Sequence, residues 1–117
     1  MRHHSNKRKF KRDKNERKAL LKSLCVALIN KEKIKTTEAK AREVRPIIEK
    51  IVTKSKTDDQ ATRRLISQKI GNGIALKKLF TELSPQYKDR NGGYTRITKI
   101  GRRLKDSSKM AFIEFVK

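Results

Sequence analysis

The last stretch of the chain, Met110-Ala111-Phe112-Ile113-Glu114-Phe115-Val116, is nearly continuous in apolar residues. A run of this kind reads as a strand shielded on both faces or held in the middle of a sheet, because a half-exposed strand would alternate apolar and polar side chains. We place it centrally, so the rest of the chain must supply flanking strands and a cover. The material for that is limited. Hydrophobic residues make up 34% of the 117 positions and charged residues 38%, against about 25% charged in an ordinary domain. One domain with a modest core is what such a chain supports, since domains run to about 100–150 residues.

The neighbouring elements are legible from caps and periodicity. Asp13 followed by Glu16 is a capping-box pattern that starts a helix running to about Asn30, with Leu21, Leu24, Cys25 and Leu28 on one face, widened by Leu20 and Ala27. Ile34-Lys35-Thr36-Thr37 leans towards strand and ends on a threonine suited to cap the next helix. That helix has Val44, Ile47, Ile48 and Ile51 at core spacing, and Pro46 within it predicts a kink or a break. Thr57-Asp58-Asp59 starts a third helix carrying Ala61, Leu65 and Ile66, which halts at Gly71-Asn72-Gly73. A fourth shows Leu76, Leu79, Phe80 and Leu83 before Ser84-Pro85, with Tyr87 closing the core end. Asn91-Gly92-Gly93 is a loop, Tyr94 to Ile100 a strand, and Gly101 to Ser108 a connection into the apolar C-terminal strand. The order helix, strand, three helices, two strands predicts an α+β fold with a small three-stranded sheet packed against helices. Residues 1–13 form a basic N-terminal arm and 14–117 a single α+β domain.

Charge decides the partner. The chain has 33 Lys plus Arg against 12 Asp plus Glu, a formal charge of +21. That excess repels itself, and an extended polyanion relieves it best. Neutralising phosphates also releases counterions, so affinity should fall roughly 10³–10⁵-fold between 50 and 200 mM salt if 6–10 phosphates are contacted. The arm, with Phe10 as its only bulky apolar residue, cannot bury itself and is expected to order on a polyanion. A membrane-surface role would need apolar faces that the core already uses, and no stretch approaches the roughly 20 apolar residues of a span. Cys25 is alone, which excludes an internal disulfide and a cysteine zinc cluster. It reads as a buried helix residue of a reducing compartment, and the start Met1-Arg2-His3-His4 has no apolar run, so the expected location is the cytoplasm.

Enzyme chemistry finds no foothold. The histidines, His3 and His4, lie in the arm, where nothing pre-organises them, and no phosphate loop, dinucleotide fingerprint or HExxH pair occurs. No catalytic residue, metal, cofactor or small-molecule substrate is expected. Gly92-Gly93-Tyr94-Thr95-Arg96 carries two readings on physics alone. Paired glycines would let backbone approach a phosphate, with Arg96 as a fork and Tyr94 as a stacking ring; alternatively the stretch enters a hairpin with Tyr94 in the core. Arg102, Arg103 and Lys105 in the next loop favour phosphate contact. Arg63-Arg64 and Lys77-Lys78 are twin basics that serve either nucleic acid or a solvated helix face. An architectural DNA-binding protein would use the same charge, but no recognition helix, minor-groove wedge or dimer seam is readable.

In their order, the Met1-Arg2-His3 start, Ile34-Lys35-Thr36-Thr37 to Ala41, Arg45-Pro46, Arg63-Arg64-Leu65, Leu79-Phe80 through Leu83 and Pro85, Gly92-Gly93-Tyr94-Thr95-Arg96-Ile97 and Met110-Ala111-Phe112-Ile113-Glu114 make a specific pattern. Across essentially its whole length the chain resembles the bacterial-type large-subunit ribosomal protein seventeen family. It departs from that family's pattern at Lys7 and Lys11, where glycines flank the basic residues, at Glu16 for a customary His, at Lys109 for a common Pro and at Phe112 for a common Tyr. The resemblance implies a mixed three-stranded sheet and a structural role on large-subunit ribosomal RNA, on the solvent side near the exit of the peptide tunnel, beside neighbouring large-subunit proteins. It implies RNA contact by the arm and by the Tyr94-Thr95-Arg96 strand entry, with Gly92-Gly93 shaping the turn. The candidate RNA-binding residues are then Arg2, His3, Lys7, Arg8, Lys9, Lys11 and Arg12 in the arm, with Arg17 on the basic side of the first helix. In the body they are Lys35, Arg63, Arg64, Gly92, Gly93, Tyr94, Thr95, Arg96, Arg102 and Arg103.

Overall fold

A computed structural model describes residues 13–117. Helix α1 (Lys14–Lys31) is followed by strand β1 (Lys33–Thr37), α2 (Glu38–Ser55) and α3 (Gln60–Ile70). Helix α4 spans residues 74–86: an α-helical start at Ile74–Lys78, a π-helical turn at Leu79–Leu83 and a last turn at Ser84–Gln86. Strands β2 (Thr95–Arg102) and β3 (Lys109–Phe115) close the chain. The element order and the α+β class match the sequence expectation.

Each of the first three helices starts on a side chain that accepts one of the orphan amides of its first turn. Asp13 accepts from the Glu16 N–H at 2.8 Å, Thr37 from Lys40 at 3.3 Å and Asp59 from Thr62 at 2.7 Å. Such caps are worth about 1 kcal/mol each. Thr37 is both the last residue of β1 and the cap of α2, so strand passes into helix with no loop. At the far end of α1, Glu32 turns the chain at φ 63°. Lys78 of α4 donates to the Asn30 carbonyl at 2.9 Å and to the Glu32 carboxylate at 3.1 Å, satisfying a helix C-terminus and pinning α4 to α1.

The sheet order is β1-β3-β2, with the apolar C-terminal strand in the centre as its composition predicts. Both pairings are antiparallel, so the mixed sheet implied by the family resemblance is corrected. The physical reason is direction: β2 and β3 are joined by a hairpin, and β1 runs opposite to β3 through the pairs Lys33 with Glu114 to Thr37 with Met110. Side chains alternate along a strand and directly opposed residues share a face. The inner face therefore carries Ile34, Thr36, Ala111, Ile113, Phe115, Thr95 and Ile97, and it joins one core with Val44, Ile48, Ile51 and Val52 of α2, Cys25, Leu28 and Ile29 of α1, and Leu79, Phe80 and Leu83 of α4. Burial of these groups is the main stabilising term, at roughly 25 cal/mol per Å² of apolar surface.

Four local expectations change. Helix α2 is not broken at Pro46, because Pro46 lies on its exposed side, where the missing amide leaves no buried acceptor unpaired. Leu65 is 54% exposed and Ala61 is exposed, while Ile66 and Ile70 form the buried edge of α3. Two residues at i and i+4 share a face, and Leu65 lies about 100° away from Ile66. Strand β2 extends through Gly101 and Arg102 by an irregularity between Lys99 and Gly101, where Gly101 adopts φ 97°, so the connection shortens. The fourth is the π-helical turn in α4, which periodicity does not distinguish from ordinary helix.

Candidate nucleic-acid interface

The outer face of the sheet follows from the same parity. Glu114 sits on the central strand with Lys33 opposite it on β1 and Arg96 opposite it on β2. Arg96 donates to its Oε1 from Nη2 at 2.9 Å and from Nε at 3.3 Å, and the Lys33 Nζ lies 4.0 Å from its Oε2. The Arg96 hydrogen bonds, and then the nearby Lys33 charge, hold the Glu114 carboxyl below the usual carboxylate range. The next row is Lys35, Phe112 and Thr98. Lys33 Nζ lies 4.4 Å from the centroid of the half-buried Phe112 ring. Lys35 is exposed and has no ion-pair partner among the described residues. The face thus carries more cation than anion around a partly open ring, a surface suited to phosphates and to bases.

The β2–β3 hairpin projects from the same strands. Arg102 stands opposite Lys109 at its base. The turn is closed by Arg103 N–H to the Ser108 carbonyl and Ser107 N–H to the Arg103 carbonyl, both at 2.8 Å. Asp106 takes two hydrogen bonds from the Arg103 guanidinium, at 2.7 and 3.0 Å, and one from the Ser108 N–H at 3.1 Å. These contacts, that of Arg103 first, hold the Asp106 carboxyl well below the ordinary range. Arg103 is thereby committed to the turn. Arg102 binds only a carbonyl, that of Ser107, at 3.0 Å, and keeps its charge free of any carboxylate among the described residues.

The Gly92-to-Thr95 stretch resolves its two readings in favour of the core. Tyr94 is 1% exposed, its ring centroid 5.1 Å from that of Tyr87, and its hydroxyl shares a 3.1 Å hydrogen bond with the Thr53 hydroxyl. It offers no face for a base, which corrects the stacking role proposed for it. Thr95 is equally buried, with its hydroxyl 3.3 Å from Glu49. Gly92 at φ 91° and Gly93 at φ 63° bend the chain so that the Tyr94 and Thr95 amides meet the Glu49 carboxylate. The amides of Tyr94 and Thr95 are taken by the protein's own acid, while Gly92 and Gly93 have open space beside them.

Other candidates are scattered. Arg63 is held by Asp58 through bonds of 2.6 and 3.0 Å, and its guanidinium carbon lies 4.4 Å from the Phe80 ring centroid. It is a structural clasp between α3 and α4. Arg64 beside it is exposed with no ion pair among the described residues, and Arg17 lies half-buried near the start of α1. Arg2, His3, Lys7, Arg8, Lys9, Lys11 and Arg12 lie outside the described residues.

Sequence reasoning missed Lys33 and Phe112. Strand parity from Lys35 would have found Lys33, since positions two apart share a face. It also missed Arg42, Arg45 and Lys99, which line an open groove of about 600 Å³ between α2 and β2 with Pro46, Glu49 and Ile97. Their signal is weak because Arg42 and Lys99 both reach Glu38, at 2.7 and 3.7 Å. Among the described residues no group of three or more His, Cys, Asp or Glu side chains could hold a metal, and no helix is long and apolar enough to cross a membrane. Cys25 is buried, which pushes its thiol up to about 12 and leaves it neutral.

Comparison with known proteins places this chain among relatives. The model of the family described as ribosomal protein L17 matches residues 20–116. The large ribosomal subunit protein bL17 of Campylobacter jejuni subsp. doylei is 46% identical over 116 residues, covering 99% of this chain and 99% of its own. The proteins of the same name from Erythrobacter litoralis and Zymomonas mobilis are 47% and 49% identical, each match covering 99% of this chain and 83% of the relative.

Proposed function

Since the chain belongs to the ribosomal protein L17 family, we propose that it is a structural constituent of the large ribosomal subunit that binds and stabilises large-subunit ribosomal RNA. The observation that carries the binding surface is the outer sheet face, where Lys33, Lys35 and Arg96 lie around Phe112, with Arg102 and Lys105 as further cations on the adjoining hairpin. Phosphate contacts there set position and affinity, and the exposed part of the Phe112 ring offers a stacking platform. The arm over residues 1–13 supplies further cations and orders on RNA, while 14–117 acts as the rigid body. The protein works by neutralising and fastening RNA, with no turnover. It sits in the cytoplasm within the ribosome, on the solvent side near the peptide-tunnel exit, with neighbouring large-subunit proteins as further partners. Family resemblance is the support for that address.

The test is binding to protein-free large-subunit ribosomal RNA, with duplex DNA as competitor, over a series of salt concentrations. Lys35→Ala and Lys105→Ala should each weaken RNA binding and reduce the salt slope by about one. Unchanged slopes for both would reject this surface, and equal preference for DNA would favour an architectural DNA-binding role.

A further inference from the structure

Charge does not account for the tip of the β2–β3 hairpin. Leu104 stands wholly in solvent, the most exposed large apolar side chain of the described residues, between Arg103 and Lys105. Single exposed leucines are ordinary. This one is held on a closed turn: Arg103 and Ser108 pair by backbone, Ser107 turns the chain at φ 60°, Arg102 grips the Ser107 carbonyl, and Asp106 ties Arg103 to Ser108. The backbone that carries the leucine is therefore held in place, so binding need not order the turn itself.

Its surroundings select the partner. Arg102, Lys105 and Lys109 flank the leucine, and an unpaired stretch of RNA supplies both phosphates for the cations and base faces for the leucine. In duplex DNA leucine side chains serve as wedges between base steps, and unstacked RNA bases offer the same apolar faces without a helix to open. We infer that Leu104 is an apolar wedge which the hairpin seats against unpaired bases of ribosomal RNA while Arg102 and Lys105 take the flanking phosphates. This rests on the RNA-binding reading above, and it adds a contact that does not depend on salt.

The chain has no tryptophan, so Leu104→Trp creates a single reporter. Titrated with protein-free large-subunit ribosomal RNA, that variant should show quenching as bases stack on the indole. In parallel, Leu104→Ser should bind about tenfold more weakly than the unsubstituted protein with the same salt slope, since only apolar contact is lost. Lys105→Ala should lower the slope. If the unsubstituted protein fails to bind this RNA, the functional reading and the wedge fall together. If it binds, but Leu104→Ser binds equally well and the indole is not quenched, the wedge alone is overturned. Normal RNA binding by Leu104→Ser combined with its loss from large subunits would assign the leucine to a neighbouring protein, and that also overturns the proposal.

Discussion

The carboxylate of Glu49, on α2, accepts the backbone N–H of Tyr94 with both oxygens, each at 3.0 Å. Thr95 adds its own N–H and its hydroxyl to Oε1 at 3.3 Å. An acid in the middle of a helix thus fixes where β2 begins, and with it the register that sets Arg96 opposite Glu114. Glu49→Ala leaves two amides without their acceptor at the edge of the core. The expected loss is about 1–3 kcal/mol, read as a lower urea midpoint at constant m. Glu49→Gln, which keeps one acceptor oxygen, should lose less.

Tyr94 separates a core role from a contact role. Tyr94→Phe removes only the hydroxyl bonded to Thr53 and should cost about 0.5–1.5 kcal/mol, while RNA affinity at a temperature where the protein is folded stays unchanged. A drop in affinity without a drop in stability would return the ring to the RNA surface.

Glu114 restrains two cations at once. Glu114→Gln removes its charge from between Lys33 and Arg96, so RNA binding should tighten severalfold at low salt, with the salt slope steeper by up to about one. Weaker binding would mean that the acid orients Arg96 more than it competes with RNA for it.

The hairpin carries a pH signature. Asp106 is held well below the usual carboxylate range by Arg103 and Ser108. A depressed folded pKa contributes stability that is fully present above the unfolded value of about 4 and is lost progressively as pH falls from there through the folded value. The Ser108 amide resonance should therefore hold steady from neutral pH down to about 4 and shift only below it. A titration centred on the ordinary aspartate value would show that the turn is open in solution.

What could be read in advance divides along a physical line. Asp13 and Thr37 were legible as caps and Thr57-Asp58-Asp59 as a helix start because these signals are local. Met110 to Val116 was legible as the central strand because it is nearly continuous in apolar residues, although its Phe112 and Glu114 side stays partly open. Leu65 and Ile66 were not separable, since both satisfy helical spacing and only the packing of α1 and α2 against α3 decides which is buried. The site behaved likewise. Arg96 and Lys35 share the outer face, whereas Arg102 stands opposite Lys109 on the other parity, beyond the irregularity between Lys99 and Gly101. Arg63 and Arg103 are bound by Asp58 and Asp106, and Tyr94 by the core. Lysine and arginine announce their charge in sequence; whether a carboxylate has already answered it is a tertiary fact.

The central claim is residence in the large subunit. An epitope-tagged copy expressed in cells is followed through a sucrose gradient after a moderate-salt wash that strips loosely held basic proteins. The tagged chain should stay in the large-subunit peak in stoichiometric amount, and Lys35→Ala combined with Lys105→Ala should lower the salt at which it is released. Departure of the unsubstituted chain from that peak into the light fractions, or its appearance with chromosomal DNA, would contradict that claim.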